Sequence, residues 1–201
     1  MKVVEIFESI QGEGHWMGNW CTFVRLAGCN LKCSFCDEAS KYGKATEMSV
    51  DEIVSQVHTT MVVITGGEPT IQEFLPDLIC ALHKQHHRVH IETNGTGSCV
   101  FLGEMRPDWV TVSPKEYSGF VIDTRPDEIK FVVNETLSFD EILNVHSDWP
   151  DCTIWLQPCD SPSSEARNTS KNRIIDWLSQ FGDGRSWLKA GIQLHKYYGE
   201  R

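Results

Sequence analysis

The stretch Ala27-Gly-Cys-Asn-Leu-Lys-Cys-Ser-Phe-Cys-Asp37 decides the fold of this 201-residue chain. It places Cys29, Cys33 and Cys36 in one loop with C-x3-C-x2-C spacing, and no fourth cysteine is close by. A closed structural zinc site or an ordinary ferredoxin cluster takes four protein ligands. Three cysteines on a four-iron cubane leave one iron open to a small molecule, so the spacing predicts a reactive iron–sulfur cluster. A zinc site completed by a distant ligand and a group of free thiols are the alternatives.

The overall composition describes an acidic globular chain. Its apolar fraction of 40% suits one domain with a sizeable core, and we expect a single domain over residues 1–201. The formal net charge of −10 argues against nucleic-acid binding through phosphate neutralisation. No apolar run approaches the roughly 18 residues of a membrane span, and the N-terminus lacks the layout of a signal peptide. We therefore expect a cytoplasmic protein without a nucleic-acid or membrane partner.

Short β-rich runs alternate with longer helical patterns along the chain. The candidate strands are mostly unbroken hydrophobic runs, as in strands covered on both faces: 22–26, 61–65, 88–93, 109–113, 128–133, 153–157 and 188–194. Helices are predicted from the capping box at 49–52, over 72–85, over 138–146 and over 171–181. This alternation predicts the α/β class, as a partial, incomplete parallel β/α barrel of about six strands.

Glycine, proline or polar residues follow most of the predicted strands. The cysteine loop follows strand 22–26, and Gly66-Gly-Glu-Pro69 follows strand 61–65. The later strand ends carry Asn94-Gly-Thr96, Pro114-Lys115, Gln157-Pro158 and His195-Lys196. Parallel sheets bind their ligands at the carboxyl ends of the strands, so these segments predict one shared site.

The Gly66-Gly-Glu-Pro69 segment can be interpreted as a loop whose backbone binds a ligand. Two glycines let the backbone approach a ligand closely, so that its amide and carbonyl groups hold the ammonium and carboxylate of an amino acid. Glu68 would then fix the loop. A plain Gly-Gly turn is the alternative interpretation.

The combined motifs resemble the radical S-adenosylmethionine (SAM) superfamily and, within it, the family of 7-carboxy-7-deazaguanine synthases. The segments that carry the resemblance span nearly the whole chain: Phe7-Glu-Ser-Ile-Gln-Gly-Glu-Gly14, Phe23-Val-Arg-Leu-Ala-Gly-Cys29, Cys36-Asp37, Thr65-Gly-Gly-Glu-Pro69, Glu92-Thr-Asn-Gly95, Ser113-Pro-Lys115 and Leu194-His-Lys196. The Gln-Gly-Glu-Gly run before the cysteine loop is the most specific of them.

The resemblance implies a ring contraction that converts 6-carboxy-5,6,7,8-tetrahydropterin to 7-carboxy-7-deazaguanine and ammonia. It also implies a 4Fe-4S cluster, SAM used catalytically and Mg²⁺ as cofactors. A reduced cluster would pass an electron to SAM, and the resulting 5′-deoxyadenosyl radical would take hydrogen from the pterin. A flavodoxin- or ferredoxin-type electron donor and a homodimer are further implications.

The resemblance assigns roles residue by residue. Cluster ligands would be Cys29, Cys33 and Cys36. SAM contacts would be Phe35, Cys36, Asp37, Gly67, Glu68, Asn94, Ser113, Pro114 and Lys115. Substrate contacts would be Ile10, Gln11, Gly12, Glu13, Arg25, Thr65 and His195, with Arg25 at the position that pairs with the substrate carboxylate.

Two positions depart from the family pattern. Glu38 stands where the family often has Thr or Ser as a ligand of Mg²⁺, and a carboxylate is also a hard oxygen ligand. Arg201 falls where the family has a C-terminal proline that contacts substrate.

Two other functions compete with the synthase. A glycyl-radical-enzyme activase would share the cysteine loop and the Gly-Gly-Glu-Pro segment. A non-catalytic zinc or iron–sulfur binding module would share only the metal.

Overall fold

The computed structural model describes residues 1–34, 36, 43–97, 101, 103–161 and 163–200. Its strands are β1 Lys2–Ile10, β2 Trp20–Leu26, β3 Thr46–Glu47, β4 Met61–Gly66, β5 Arg88–Thr93, β6 Trp109–Val112, β7 Glu128–Val133, β8 Thr153–Pro158 and β9 Leu188–Ala190. Its α-helices are α1 Val50–Val54, α2 Leu75–Lys84, α3 Phe139–Asp148, α4 Ser164–Phe181 and α5 Leu194–Tyr198. No helix in these ranges has the length and apolar character needed to cross a membrane.

The strands of the described residues form one sheet in the order β3-β1-β2-β4-β5-β6-β7-β8-β9. From β2 onward every neighbouring pair is parallel, whereas β1 runs antiparallel to both β2 and β3. The predicted partial parallel β/α barrel is confirmed. Its parallel part contains the seven strands predicted from hydrophobic runs.

Helices α1 to α4 cover the outer face of this sheet in two groups. One core joins α1 and α2 to the outward residues of β2, β4 and β5, with Leu78 of α2 and Ile64 of β4 fully buried. A second core joins α3 and α4 to β7 and β8, around Phe131 and Ile142. The capping box predicted at Ser49 is present, and Ser138 forms a second one at the start of α3; each serine accepts from the backbone N–H three residues on.

Several elements differ from the sequence prediction, including the short β3, which was not predicted. Strand β1 was not predicted because Glu5 and Glu8 interrupt its apolar residues, yet its pairing with β2 needs only one apolar face. Helix α4 begins seven residues before the predicted start, at the Ser163 cap. The predicted strand 188–194 ends at Ala190, the last residue of β9 that pairs with β8, and α5 begins at Leu194.

Candidate active site

A cavity of about 590 Å³ lies at the carboxyl ends of the parallel strands. Most of the site residues predicted from the sequence line this cavity: Cys29, Cys33, Cys36, Gly67, Asn94, Ser113, Lys115, Gln11, Glu13, Arg25, Thr65 and His195. Four of the predicted site residues are not part of the lining: Ile10, Gly12, Glu68 and Pro114. Another four lie outside the described residues: Phe35, Asp37, Glu38 and Arg201. The volume falls within the range of small-molecule sites, roughly 300–1,000 Å³.

The cysteine loop supplies one wall of this cavity. Cys29 Sγ accepts hydrogen bonds from the Leu31 N–H at 3.4 Å and from Asn94 Nδ2 at 3.8 Å. Burial raises the pKa of Cys29 and of Cys33. Cys29, Cys33 and Cys36 are free thiols, although no three His, Cys, Asp or Glu side chains in the described part already stand close enough to share a metal ion. Free thiols with N–H donors on sulfur suit an iron–sulfur cluster.

Two glycines bring the next loop against the cysteine loop. A Cβ on Gly67 would lie 1.7 Å from the carbonyl oxygen of Gly28, and Gly66 has a φ of +126°. The Gly67 N–H donates to the Leu26 carbonyl at 2.9 Å, and the Glu68 N–H donates to the Gly28 carbonyl at 2.8 Å. The glycines are therefore needed for the approach of one backbone to another, and this approach places the loop at the cavity.

Glu68 is fully buried and organises two strand ends. Its carboxylate accepts hydrogen bonds from the N–H and hydroxyl of Thr70, from the Thr93 hydroxyl at 2.5 Å and from the Asn94 N–H at 2.6 Å. This arrangement agrees with the predicted loop-fixing role. Through Asn94 it also holds the amide that contacts Cys29.

Lys115 and Ser113 form a polar pair at the end of β6. Lys115 Nζ donates to Ser113 Oγ at 2.5 Å. Burial, followed by the charge of Lys130, lowers the pKa of Lys115 to about 8. A partly buried ammonium beside a hydroxyl suits an anionic carboxylate, so the pair fits the amino-acid end of SAM.

Arg25 lies on another wall and is held from β1. Its Nε donates to Glu5 Oε1 at 2.9 Å. Its guanidinium carbon stands 5.5 Å from the centroid of the Phe7 ring, which stacks on Phe23. These contacts fix a planar cation at the cavity, a geometry suited to bidentate carboxylate binding.

Glu92 and Lys130 extend the site beyond the sequence prediction. Both line the cavity, and Lys130 Nζ bonds to Glu13 Oε2 and lies 3.5 Å from Glu92 Oε2. Glu92 lies in a segment that carries the family resemblance, but the sequence predicts no role for Glu92 or Lys130. The available signal for Lys130 was a charged side chain between the apolar residues Ile129 and Phe131 of a predicted strand.

A directed hydrogen-bond chain continues behind Glu92. Gln11 Nε2 donates to Glu92 Oε1 at 2.9 Å and lies 3.3 Å from His90 Nδ1. The Thr111 hydroxyl donates to Glu128 Oε1 at 2.7 Å and lies 2.7 Å from His90 Nε2. Because the Thr111 proton is used on Glu128, His90 Nε2 must donate and Nδ1 must accept. Burial is the main cause that lowers the pKa of His90 to about 4, which agrees with this neutral ring.

The C-terminal segment returns to the same cavity. Gln193 Nε2 donates to Glu13 Oε1 at 2.9 Å, and the Leu194 N–H donates to the Gly12 carbonyl at 3.0 Å. These bonds hold His195 beside the cavity. Burial is the main cause that lowers its pKa.

The comparisons with known proteins agree with this site. The model of the Radical SAM superfamily matches residues 24–152, which gives the class of protein. The 7-carboxy-7-deazaguanine synthase of Bacteroides thetaiotaomicron is 42% identical over 168 residues, covering 79% of this chain and 81% of the relative. That of Synechocystis sp. is 32% identical, covering 99% and 93%. The crystal structure of QueE from Escherichia coli matches with a TM-score of 0.70 at 26% identity, covering 96% and 94%.

The chain belongs to the radical SAM superfamily and, within it, to the family of 7-carboxy-7-deazaguanine synthases. It is therefore an enzyme whose family implies a 4Fe-4S cluster and SAM. Neither a glycyl-radical-enzyme activase nor a non-catalytic metal module is favoured by these relatives.

Proposed function

We propose that the chain converts 6-carboxy-5,6,7,8-tetrahydropterin to 7-carboxy-7-deazaguanine and ammonia in 7-deazapurine biosynthesis. The observation that carries the proposal is a single cavity in which the cysteine loop faces Arg25 and the carboxylates Glu13 and Glu92. The thiols suit an iron–sulfur cluster, the cation suits a carboxylate, and the carboxylates suit the N–H groups of a pterin ring.

The residues present fit both cofactors that the superfamily implies. Cys29, Cys33 and Cys36 would hold the cluster, while Gly67 and Lys115 would help to hold SAM. When bound, the cluster and SAM supply a radical that removes a hydrogen atom from the substrate and returns it after rearrangement. Lys115 would receive the SAM carboxylate, because its ammonium lines the cavity beside the Ser113 hydroxyl.

The remaining walls would bind and orient the pterin. Arg25 would pair with the substrate carboxylate, since Glu5 already fixes the direction of its Nε. Gln11, Glu13 and Thr65 would present polar atoms to the ring, and His195 would close the side formed by the C-terminal segment. Their joint role is orientation and exclusion of water.

Two finer assignments rest on residues outside the described ranges, Glu38 and Arg201. Glu38 would supply a hard oxygen ligand to Mg²⁺, and Arg201 would contact substrate. Replacing Glu38 by Thr tests the first assignment, because a shift in the Mg²⁺ dependence of turnover is expected only for a ligand. An unchanged dependence would remove Glu38 from the metal site.

The partners and setting are likewise part of the proposal. A flavodoxin- or ferredoxin-type protein would deliver the electron, and the chain would act in the cytoplasm as a homodimer with one core domain over residues 1–201. Size-exclusion chromatography with light scattering would test the dimer.

An anaerobic reaction tests the function as a whole. The chain is reconstituted with iron and sulfide, supplied with SAM, dithionite and the carboxylated tetrahydropterin, and its products are analysed. Formation of 7-carboxy-7-deazaguanine and ammonia without stoichiometric loss of SAM is the expected result. SAM cleavage without that product would overturn the proposal.

A further inference from the structure

Lys130 is a nearly buried cation on the cavity side of β7. The pleat of this strand turns Glu128 and Lys130 inward, while Ile129 and Phe131 pack outward in the second core. Lys130 has only 7% of its surface exposed, so its charge is removed from most of the water. An ammonium in such a place needs a counter-charge.

Two carboxylates from separate parts of the chain supply that counter-charge. Glu13 bonds to Nζ from the segment after β1, and Glu92 lies 3.5 Å away on β5. Each carboxylate also uses its other oxygen: Gln193 donates to Glu13 Oε1 and Gln11 donates to Glu92 Oε1. The ammonium therefore joins β5, β7, the N-terminal segment and the segment before α5 at one point.

The titratable groups around Glu92 come from several elements. Lys130 faces it from β7, His90 from β5, and Glu13 and His195 from the two segments that flank the cavity. Burial would raise the pKa of Glu92, but Lys130 and then His90 and Gln11 bring it down to about 2. Burial would lower the pKa of Lys130, whereas Glu13, Glu92 and Glu128 raise it above its usual range.

A buried ion pair is a weak source of stability, because desolvation of the charges offsets most of their attraction. An apolar residue at position 130 could fill the same space without the cost of removing a charge from water. One lysine between two carboxylates also leaves a negative charge in the cavity, where pterin N–H groups would find fixed acceptors. The arrangement thus favours a role in the site over a role in the core.

We infer that Lys130 is a positioning residue, which holds Glu13 and Glu92 as fixed, ionised acceptors on the wall that faces the substrate. This inference rests on the proposed function. Lys130 acts through the two carboxylates, and the charge of its side chain is what the role requires.

Lys130→Met is the main test, because methionine keeps the length of the side chain and removes the charge. The KM for the carboxylated tetrahydropterin should rise at least about tenfold. The ratio kcat/KM should also fall more steeply below neutral pH than in the wild type, because unopposed burial raises the pKa of Glu92. Lys130→Arg keeps the charge and should restore much of the wild-type KM and pH profile.

Lys189→Met is the matched control. Lys189 is an exposed lysine on β9 whose Nζ lies 5.4 Å from the Trp155 ring centroid, so it is subject to the same chemical change outside the cavity. Its KM and pH profile should equal those of the wild type. Should Lys130→Met not fold, Lys130→Gln takes its place, since glutamine can still donate to Glu13 without a charge.

A second readout needs no turnover. Carbon-13 NMR of glutamate-labelled, cluster-free full-length chain follows the titration of each carboxyl group, with the Glu92 signal identified by its loss in Glu92→Gln. In the wild type Glu92 should remain ionised down to acidic pH, and in Lys130→Met its protonation should begin at clearly higher pH.

The outcomes separate the inference from the proposed function. If the wild type and Lys189→Met make no carboxydeazaguanine, the proposed function fails and the NMR titration alone decides the state of Glu92. If both are active and the uncharged variant keeps the wild-type KM, pH profile and Glu92 titration, the positioning role is overturned. An arginine variant as impaired as the methionine variant would also overturn it, because charge would not be the property required.

Discussion

The inner and outer faces of the same strands differ sharply in this molecule. On β7, Ile129 and Phe131 point outward into an apolar core under α3 and α4, whereas Lys130 points inward to the cavity. On β5, Ile91 packs outward and Glu92 inward. Residues next to each other in sequence thus serve different purposes, because successive side chains of a strand point to opposite faces.

The difference shows where stability and chemistry reside. The outer face buries aliphatic side chains against helices, and this stabilisation is non-directional and grows with the buried area. The inner face holds charges in a directed hydrogen-bond network, where a single missing partner is costly. Substitutions on the outer face should therefore change the free energy of unfolding, and those on the inner face should change binding or turnover.

The largest effect is expected from Cys33→Ala at the cavity. The variant should fold normally but show no cluster absorbance and no product, because two thiolates do not replace the three that the site offers. Cys80→Ala, on α2 and away from the cavity, is the matched control and should keep both properties. Turnover in Cys33→Ala would contradict the assignment of this cysteine as a ligand.

Leu78→Ala should have the next largest effect, on the outer face. Leu78 is fully buried in α2, so the truncation should lower the free energy of unfolding by about 2–5 kcal/mol in a urea titration of the cluster-free chain. The KM of the folded, reconstituted enzyme should not change. Ile175→Ala, at a side chain that is 63% exposed, should stay within about 0.5 kcal/mol of the wild type. Equal losses in the two variants would erase the distinction between core and surface.

Arg25→Ala tests the inner face without touching the cluster. The KM for the carboxylated substrate should rise at least about tenfold while the cluster spectrum stays intact, because a charge-assisted pair is lost. Arg106→Ala removes an arginine that pairs with Asp127 at the surface, and it should leave the KM unchanged. A wild-type KM in Arg25→Ala would place the substrate carboxylate elsewhere.

The smallest effect is expected from Ser138→Ala at the start of α3. Loss of the capping box should lower the free energy of unfolding by about 1 kcal/mol, with no change in KM. Ser147→Ala in the same helix removes only a bond to the Asn144 carbonyl, and should change stability by a few tenths of that amount. A changed KM in Ser138→Ala would show that a helix cap on the outer face affects substrate binding in the cavity.

Much of the fold was predictable because its parallel strands are buried on both faces. Strands β4, β5, β7 and β8 were predicted within one residue of their ends. Strand β1 was not predicted, because Glu5 and Glu8 interrupt its apolar residues and its pairing with β2 is not visible in the sequence. The predicted strand 188–194 was longer than β9, and α5 was not predicted, because a hydrophobic run does not reveal where the pairing with β8 ends.

The site was predictable where a motif carries its own spacing. Two motifs can be recognised from the sequence alone: the three cysteines within eight residues and the Gly66-Gly-Glu-Pro69 segment. Lys130 and Glu5 do not, because their partners lie 117 and 20 residues away along the chain. A charged residue between apolar residues of a strand indicates that it has a buried partner, but the sequence does not identify that partner.

The sequence by itself determined the class of fold, the cysteine loop and the family, since these depend on local spacing and on hydrophobic runs. Only the tertiary structure decided that Glu13, Glu92 and Lys130 meet, that Glu5 orients Arg25, and that the partners of Glu68 lie at the end of β5. The physical reason is that electrostatic contacts depend on distance in space, and the sheet order alone brings these distant residues together.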